Sequence, residues 1–310
     1  MTRFSLLAVL FAGFCGHAVA GSVTHIASGD CQGLNSAVAS ATSDAQSTII
    51  LARGGTYNAC SLFVLHGSVL VEGSGATIRT DLCVATLVTA GPSAQLTLRN
   101  THVSTADCGS PLPGPETAVI SNAGSMELDS VTITAPLVRN DSRSTLILRN
   151  VTMWGSIKNS GALSIFNSTM VPLSIETEAG SQLNLSNSIL WLMGGSMGNV
   201  PRCPVSGSGI AHSLGGNLLG SGCNWAAASD RISPPFPELA NSMKDNGGLV
   251  PTSALASSSF ARGIGVARYC EATDARGATR VPGTCDAGAY EFDGGSQKVT
   301  AGGMNGSFHD

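Results

Sequence analysis

Short segments in which apolar and polar residues alternate recur along the middle of this chain. Each copy has five residues, and successive copies begin 30, 20, 17 and 20 residues apart. The copies are Leu96–Asn100, Met126–Ser130, Leu146–Asn150, Leu163–Asn167 and Leu183–Asn187. Alternation with a period of two is typical of a β-strand that buries one of its faces. The sequence therefore predicts a short strand at each copy, followed by a turn.

A unit of about 20 residues cannot bury its own apolar face, so the copies are expected to stack on one another. Stacking places the leucines in an interior column and pairs each strand in parallel with its counterpart one coil away. The asparagine that follows most copies predicts a ladder of hydrogen-bonded asparagines along the stack. The predicted fold is all-β, a right-handed parallel β-helix. A leucine-rich-repeat solenoid and an antiparallel sandwich are the alternatives that the pattern leaves open.

The N-terminal region has a different pattern. Residues 1–20 have the features of a signal peptide, with a basic Arg3, an apolar stretch and an A-x-A cleavage site that ends at Ala20. Leu34–Ala41 then predicts a short helix that covers the open end of the solenoid. Residues 21–199 are assigned to this N-terminal cap and the coils of the β-helix.

The periodicity weakens from about Trp191. Residues 200–292 are rich in glycine, proline, serine and cysteine, and they predict a disulfide-rich segment that closes the β-helix. Residues 293–310 are polar and rich in glycine, which predicts a flexible tail. After the leader, no stretch is long and apolar enough for a predicted membrane span.

Eight of the nine cysteines lie beyond the leader, and an even number in an exported chain indicates disulfides. Contacts in a solenoid are mostly local, so pairing in sequence order is expected. The predicted bonds are Cys31–Cys60, Cys83–Cys108, Cys203–Cys223 and Cys270–Cys285. None of the cysteines forms a CxxC pair, which argues against a zinc site, and no metal or other cofactor is predicted.

Charged residues make up 12% of the chain, with 16 basic and 20 acidic side chains. Nucleic acids and anionic membranes are bound by basic patches, so neither is predicted as a partner. The expected location is extracellular or at the cell surface, where a glycan or another protein is the expected partner. The oligomeric state is not predicted.

Three motifs near the C-terminus carry a family resemblance. They are Ser213–Leu218, which precedes Cys223, then Asp245–Thr252, and finally Cys285–Phe292. In this order they resemble the bacterial choice-of-anchor Q β-helix proteins, which are grouped with pectin-lyase-like and polymorphic-outer-membrane-protein-like surface proteins. The resemblance implies a right-handed β-helix and an extracellular location, but no reaction. Ser253 stands near the position where the family has a histidine, and Ser258–Arg262 departs from the family's pattern.

Several β-helix enzymes act on acidic polysaccharides, and the coils are where their kind of catalytic site would lie in this chain. A calcium-dependent lyase needs stacked carboxylates and a basic side chain, and an inverting hydrolase needs two paired carboxylates. Acidic residues in the coils are sparse, and Glu176 and Glu178, two apart on one strand face, are the first candidates, with Arg139 as the basic group. Calcium is expected only if the protein is a lyase.

Two further charge pairings are predicted. The alignment of the copies places Asp129 and Arg149 on neighbouring coils, where an exposed ion pair is expected. Asp286 and Glu291 are expected to cap turns and to pair with Arg276 or Arg280. The residues together favour a secreted, non-catalytic surface protein, structural or adhesive, with a polysaccharide lyase or glycoside hydrolase as the alternative.

Overall fold

The structure is a computed structural model. It describes residues 21–41, 45–81, 86–105, 118–170, 174–191, 202–232, 239 and 243–292. The predicted leader, its cleavage site at Ala20 and the predicted tail 293–310 lie outside the described residues, as do Cys83 and Cys108.

The described residues form one α-helix, one short 3-10 helix and nineteen strands. Along the chain these are β1 (Val23–Ile26), α1 (Cys31–Ala39), β2 (Gln46–Leu51), β3 (Thr56–Asn58), β4 (Leu62–Thr80), β5 (Val88–Thr105), β6 (Ile120–Asn122), β7 (Ser125–Asp129), β8 (Thr132–Asn140), β9 (Thr145–Arg149), β10 (Thr152–Asn159), β11 (Ala162–Phe166), β12 (Thr169–Met170), β13 (Ile175–Thr177), β14 (Gln182–Ser186), β15 (Ile189–Leu190), β16 (Val205–Gly207), β17 (Ile210–Gly215), β18 (Leu218–Leu219), β19 (Arg231–Ile232) and a 3-10 helix at Ala267–Tyr269.

The strands form one large parallel sheet that is curled into a half-barrel. Each copy of the repeat pairs in parallel with the next in the predicted register, so that Leu96 faces Met126, Met126 faces Leu146, and Leu163 lies between Leu146 and Leu183. Parallel pairing of near-identical strands excludes the antiparallel sandwich. The described repeats contain no helix between their strands, which excludes the leucine-rich-repeat alternative. The architecture is consistent with a β-helix-like solenoid.

The core is a continuous column of apolar side chains inside the stack. Alternate residues of each copy point inward, and Leu98, Leu128, Leu148 and Leu185 have no exposed surface. Burial of one such side chain contributes about 1.5–3 kcal/mol to stability. Because the coils from β4 to β14 place valine, leucine, isoleucine or methionine at the same two inward positions, the core extends from coil to coil without interruption.

The predicted capping helix is present as α1, which begins three residues earlier than the sequence indicated. The carboxylate of Asp30 accepts a hydrogen bond from the backbone N–H of Gly33 at 2.8 Å, which is an N-terminal cap. The disulfide Cys31–Cys60 ties the first residue of the helix to the coil beneath it. Leu34 and Val38 are buried against the core, so the helix covers the apolar end of the first strands.

The predicted asparagine ladder is wrong for the residues on which it was based. These residues are the turn positions after the strands, and we call them the corner column: Ser74, Asn100, Ser130, Asn150, Asn167 and Asn187. All have φ between 47° and 54°, the left-handed conformation that asparagine tolerates best after glycine. The asparagines of the corner column bond to other groups instead: Asn100 to Glu72 on the preceding coil, and Asn150, Asn167 and Asn187 to residues 266–280.

An asparagine ladder exists at a different corner. Asn122 donates to Asn140, and Asn140 donates to Asn159, both at 2.8 Å and all with no exposed surface. Each amide nitrogen also donates to a backbone carbonyl one coil away, at 2.9 to 3.1 Å. Each buried amide nitrogen therefore has at least one hydrogen-bond acceptor, which keeps the polar column compatible with the interior.

The range 200–292 consists of two parts. β16, β17 and β18 continue the stack by pairing with β13, β14 and β15, and Cys203–Cys223 joins the two ends of this coil. Residues 243–292, which we call the return segment, lie along the corner column, from Leu249 beside Gly75 in the first coils to Val266 beside Asn187 in a late coil. Cys270–Cys285 lies within the return segment. Three of the four predicted disulfides are therefore present, and the fourth lies outside the described residues.

Candidate functional site

The catalytic candidates Arg139, Glu176 and Glu178 lie on one open face of the sheet. Arg139 and Glu176 both flank Lys158 in register, so they are two coils apart, or about 9–10 Å. Glu178 is engaged by Lys158 at 3.6 Å and by the hydroxyl of Ser160 at 2.7 Å. Both glutamates are exposed, and none of the three candidates lines the groove described next. The sequence did not point to Lys158, because Lys158 lies on a different coil from Glu176 and Glu178.

A polar groove of about 750 Å³ runs between the corner column and the return segment, and we call it the corner groove. The first coils and the return segment contribute Arg53, Glu72, Ser74, Arg99, Asn100, Asp129, Ser130, Asn150, Gly247, Gly248, Leu249, Glu271, Ala272, Thr273, Asp274, Ala275, Arg276 and Gly277. The groove is larger than three other cavities of the described residues, of about 560, 280 and 270 Å³, and polar groups converge on it, which makes it the candidate functional site.

The wall that the coils contribute is an alternating column of charge. Glu72 pairs in register with Arg99, Arg99 with Asp129, and Asp129 with Arg149, so that acid and base follow one another over four coils. The repeat positions of Arg99, Asp129 and Arg149 were visible in the sequence. Glu72 lies before Leu96–Asn100, the first copy of the repeat, so the repeat did not predict that it belongs to this column of charge.

The ion pairs along this wall differ from the predicted pair of Asp129 with Arg149. Asp129 is 3.6 Å from the guanidinium of Arg99 on the preceding coil. Arg149 instead binds Glu127 at 3.0 Å and Glu271 of the return segment at 2.7 Å. Arg149 is therefore engaged by two carboxylates, one on the preceding coil and one on the return segment, and neither belongs to Asp129.

Burial raises the pKa of the Asp129 carboxyl above its ordinary value. The hydrogen bond from Ser130 and the charge of Arg99 lower this pKa, and the carboxylates of Glu127 and Glu271 raise it further. The net direction is upward, so Asp129 holds its proton to a higher pH than an exposed aspartate does. A carboxyl with this property can donate a hydrogen bond, and it is the candidate acid of the groove.

The opposite wall is held rigidly by Arg276. Its guanidinium binds Asp274 at 2.7 Å, donates to the backbone carbonyl of Glu291 at 2.7 Å and lies 3.6 Å above the ring of Tyr290. A Cβ atom on Gly248 would lie 2.7 Å from the Cα atom of Arg276, so only glycine permits this close approach. The wall therefore keeps its shape without help from a ligand.

Beneath this wall, Arg280 and Glu291 form a buried ion pair at 3.0 Å, as the sequence predicted for one of the two arginines. Arg280 also donates to the side-chain oxygen of Asn150 in the corner column at 2.9 Å. Burial raises the pKa of Glu291, and it lowers that of Arg280. Asp286 accepts from the backbone N–H groups of Gly263 and Phe292, which is the predicted turn-capping role.

Two more asparagines of the corner column anchor the return segment. Asn167 donates to the carbonyl oxygen of Tyr269 at 2.7 Å. Asn187 accepts from the N–H of Val266 at 2.7 Å and donates to its carbonyl at 3.2 Å. The column is thus covered where it holds Asn150, Asn167 and Asn187. Asn100 instead donates to the carboxylate of Glu72 on the preceding coil at 3.0 Å, and Ser130 donates to the carboxylate of Asp129 beside it. Both residues line the groove.

A hairpin of the return segment bounds the groove at its far end. Lys244 and Thr252 pair in antiparallel fashion, and the turn between them contains the Asp245–Thr252 motif. Asp245 accepts from the N–H of Gly247 at 2.8 Å, an Asx-turn that fixes the bend. A Cβ atom at Gly75 would lie 2.8 Å from the carbonyl oxygen of Leu249, so the hairpin touches the first coils.

Within the described residues, no cluster of three or more His, Cys, Asp or Glu side chains is arranged to hold a metal ion. No described helix has the length and apolarity that crossing a bilayer requires.

No family model matches this chain, and neither does a curated protein or a solved structure.

Proposed function

We propose that this protein is a secreted, non-catalytic, right-handed parallel β-helix that binds a neutral extracellular glycan in the corner groove. The corner groove carries the proposal, because it is preformed, polar and rigid on the side of Arg276. The resemblance of the C-terminal motifs to choice-of-anchor Q proteins supports the handedness and the surface location. The three disulfides are compatible with an oxidising, extracellular environment.

The chemistry of the lining favours a neutral ligand with many hydroxyl groups. Four carboxylates and three arginines among the described residues line the groove, so its charge is nearly balanced. Sugar hydroxyls both donate and accept, and carboxylate, amide and guanidinium groups offer the matching planar partners. A polyanion would meet as many carboxylates as arginines or more, so it would gain no net attraction in the groove.

The lining also distinguishes a glycan from a protein partner. The centre of a protein interface is depleted in charge and enriched in large apolar side chains. Leu249, which is 41% exposed, is the only large apolar side chain among the described residues of the groove. A ligand that hydrogen-bonds along its whole length suits this surface better than an apolar anchor does.

Calorimetry on the folded protein with a panel of neutral and uronic-acid oligosaccharides tests the proposal. Ala272 is exposed and lines the groove, so Ala272→Trp fills the groove and is expected to weaken binding at least tenfold. Ala267→Trp, an exposed alanine of the same segment outside the groove, is the matched control and is expected to bind normally. Unchanged binding by Ala272→Trp, or no binding of any oligosaccharide by the unmodified protein, overturns the proposal.

The second candidate function is a glycoside hydrolase, and the raised pKa of Asp129 is the observation that favours it. An inverting enzyme needs an acid and a base about 6.5–9.5 Å apart, and Glu127 and Glu271 are the neighbouring carboxylates. Both are already bound by Arg149, which leaves neither available as a base without a rearrangement. Release of reducing ends that disappears in Asp129→Asn would establish the hydrolase and exclude a purely binding role.

A further inference from the structure

A second, smaller pocket of about 270 Å³ lies on the other side of the hairpin from the corner groove. Its lining is His102, Thr132, Thr134 and Trp154 from the coils, with Met243 and Pro251 from the return segment. This volume lies below the range of about 300–1,000 Å³ that drug-sized ligands occupy. The pocket therefore fits a group of the size of a single ring.

Trp154 occupies a position that the fold does not require to be aromatic. It stands in register with Thr134 on the preceding coil, and Thr134 stands in register with Ser104, so the two preceding coils carry small hydroxyl side chains at this outward-facing position. Trp154 is 37% exposed, whereas Trp191, the other tryptophan of the coils, is buried. An outward-facing tryptophan contributes little to the core, so its ring remains available as a flat binding surface.

The polar groups of the pocket sit at the edge of this surface and are uncharged. The Nε2 atom of His102 lies 3.2 Å from the Oγ1 atom of Thr134. Burial lowers the pKa of His102, so the imidazole is neutral at pH 7 and keeps one donor and one acceptor nitrogen. A charged ligand would lose its water in this pocket without gaining a counter-charge.

We propose that the Trp154 pocket is a second binding site, which takes one neutral pyranose ring of a glycan. The electron-rich face of the indole attracts the partly positive C–H groups on one face of a sugar ring. The hydroxyls at the rim of that ring bond to Thr134 and His102. The site is separate from the corner groove and does not depend on the function assigned to it.

Titration of the intact, ¹⁵N-labelled protein with methyl pyranosides of glucose, galactose, mannose and N-acetylglucosamine tests the site by NMR. At least one glycoside is expected to shift the indole signal of Trp154 saturably and to leave that of Trp225 unchanged. Trp154→Ala is expected to lose at least tenfold in affinity, and Trp154→Phe, which keeps an aromatic face, to lose less. Trp225→Phe is the matched control and is expected to bind like the unmodified protein.

Cyclohexanol, a ring of similar size with one hydroxyl, is the competing probe. Binding as tight as that of the best glycoside would mean that the pocket takes apolar groups such as a peptide side chain, and this would overturn the sugar assignment. The absence of a saturable shift with every glycoside would overturn it as well. Ala272→Trp, which fills the corner groove, is expected to leave these titrations unchanged, so a failure of this site is distinguishable from a failure of the groove.

Discussion

The coils and the return segment depend on different kinds of interaction. In the coils the same positions recur, backbone hydrogen bonds link each strand to the next, and leucines fill the interior. The return segment has only isolated antiparallel bridges and one short 3-10 helix among its described residues. It is held by buried charged side chains, above all Arg280 and Glu291, of which 1% is exposed in each case, and by a small apolar cluster that packs Leu255, Ala261 and Ala287 against the last coils.

The two regions therefore differ in how the stabilising free energy is distributed among their contacts. A repetitive stack spreads its free energy over many similar contacts between neighbouring coils. A network of buried polar groups concentrates it, because removal of one member leaves the others unsatisfied in a region of low dielectric. Single substitutions are therefore expected to affect the return segment more strongly and more locally than the coils.

The largest effect is expected from Arg280→Ala. The substitution leaves the carboxylate of Glu291 buried without its partner and removes the donor to Asn150, which costs about 3–5 kcal/mol. Hydrogen exchange should show that residues 260–292 lose protection while the coils keep theirs. Arg268→Ala, at an exposed arginine of the same segment, is the control. Equal loss of protection in the coils would show that the two regions are one cooperative unit.

A smaller effect is expected from Asn140→Ala within the coils. The substitution removes the middle rung of the buried ladder and leaves groups on Asn122 and Asn159 without their partner, which costs about 1–3 kcal/mol. Urea denaturation measures this loss. Asn184→Ala, on the outward face of β14, should change stability by no more than about 0.5 kcal/mol. A ladder variant as stable as this control would contradict the structural importance of the ladder.

The smallest effect is expected from Asp129→Asn, and its sign depends on pH. Because the pKa of Asp129 is raised in the folded state, the folded protein binds the proton more tightly than the unfolded chain does. Stability is therefore lost as the pH rises from the ordinary carboxyl pKa through the raised one. The variant avoids this loss and should be more stable at pH 7, by about 0.5 kcal/mol, as is usual for surface changes.

Thermal denaturation of Asp129→Asn and the unmodified protein from pH 3 to pH 8 measures the effect. The gain should vanish at the acidic end, where Asp129 is protonated in both folded and unfolded chains. Asp141→Asn, on the same stack but outside the groove, is the control. A variant that is less stable at pH 7 would show that the ion pair with Arg99 outweighs the burial of the carboxylate.

Much of the stack was predictable because its strands and turns are specified by short stretches of sequence. The alternation in Leu146–Asn150 specifies a strand and its buried face, and the repeated spacing specifies which strands pair. The asparagine at the end of the repeat was also recognisable, but its role was not. Its left-handed conformation turns the side chain outward, and the contacts of Asn150 and Asn167 are with residues more than 100 positions away.

The candidate site was less predictable, since the sequence pointed to Glu176, Glu178 and Arg139 on an open face. The alternating charges of Arg99, Asp129 and Arg149 were visible in the aligned copies, yet they predicted only an exposed ion pair. Glu271 changes this pairing, and no spacing in the sequence relates it to Arg149. Trp154 is one of two tryptophans in the coils, but its place in a pocket depends on Met243 and Pro251 of the return segment, which no sequence pattern relates to it.

The sequence by itself determined the strands, their parallel register, the inward faces and the expected order of the disulfides, because each follows from a short repeat or from neighbours along the chain. Only the tertiary structure decided that residues 243–292 return along the corner column and enclose the corner groove. The reason is physical. The repeat predicts which strand each strand pairs with, because its partner has a similar sequence one coil away. The return segment is positioned by individual contacts, such as the bond between Arg280 and Asn150, which do not follow any period in the sequence.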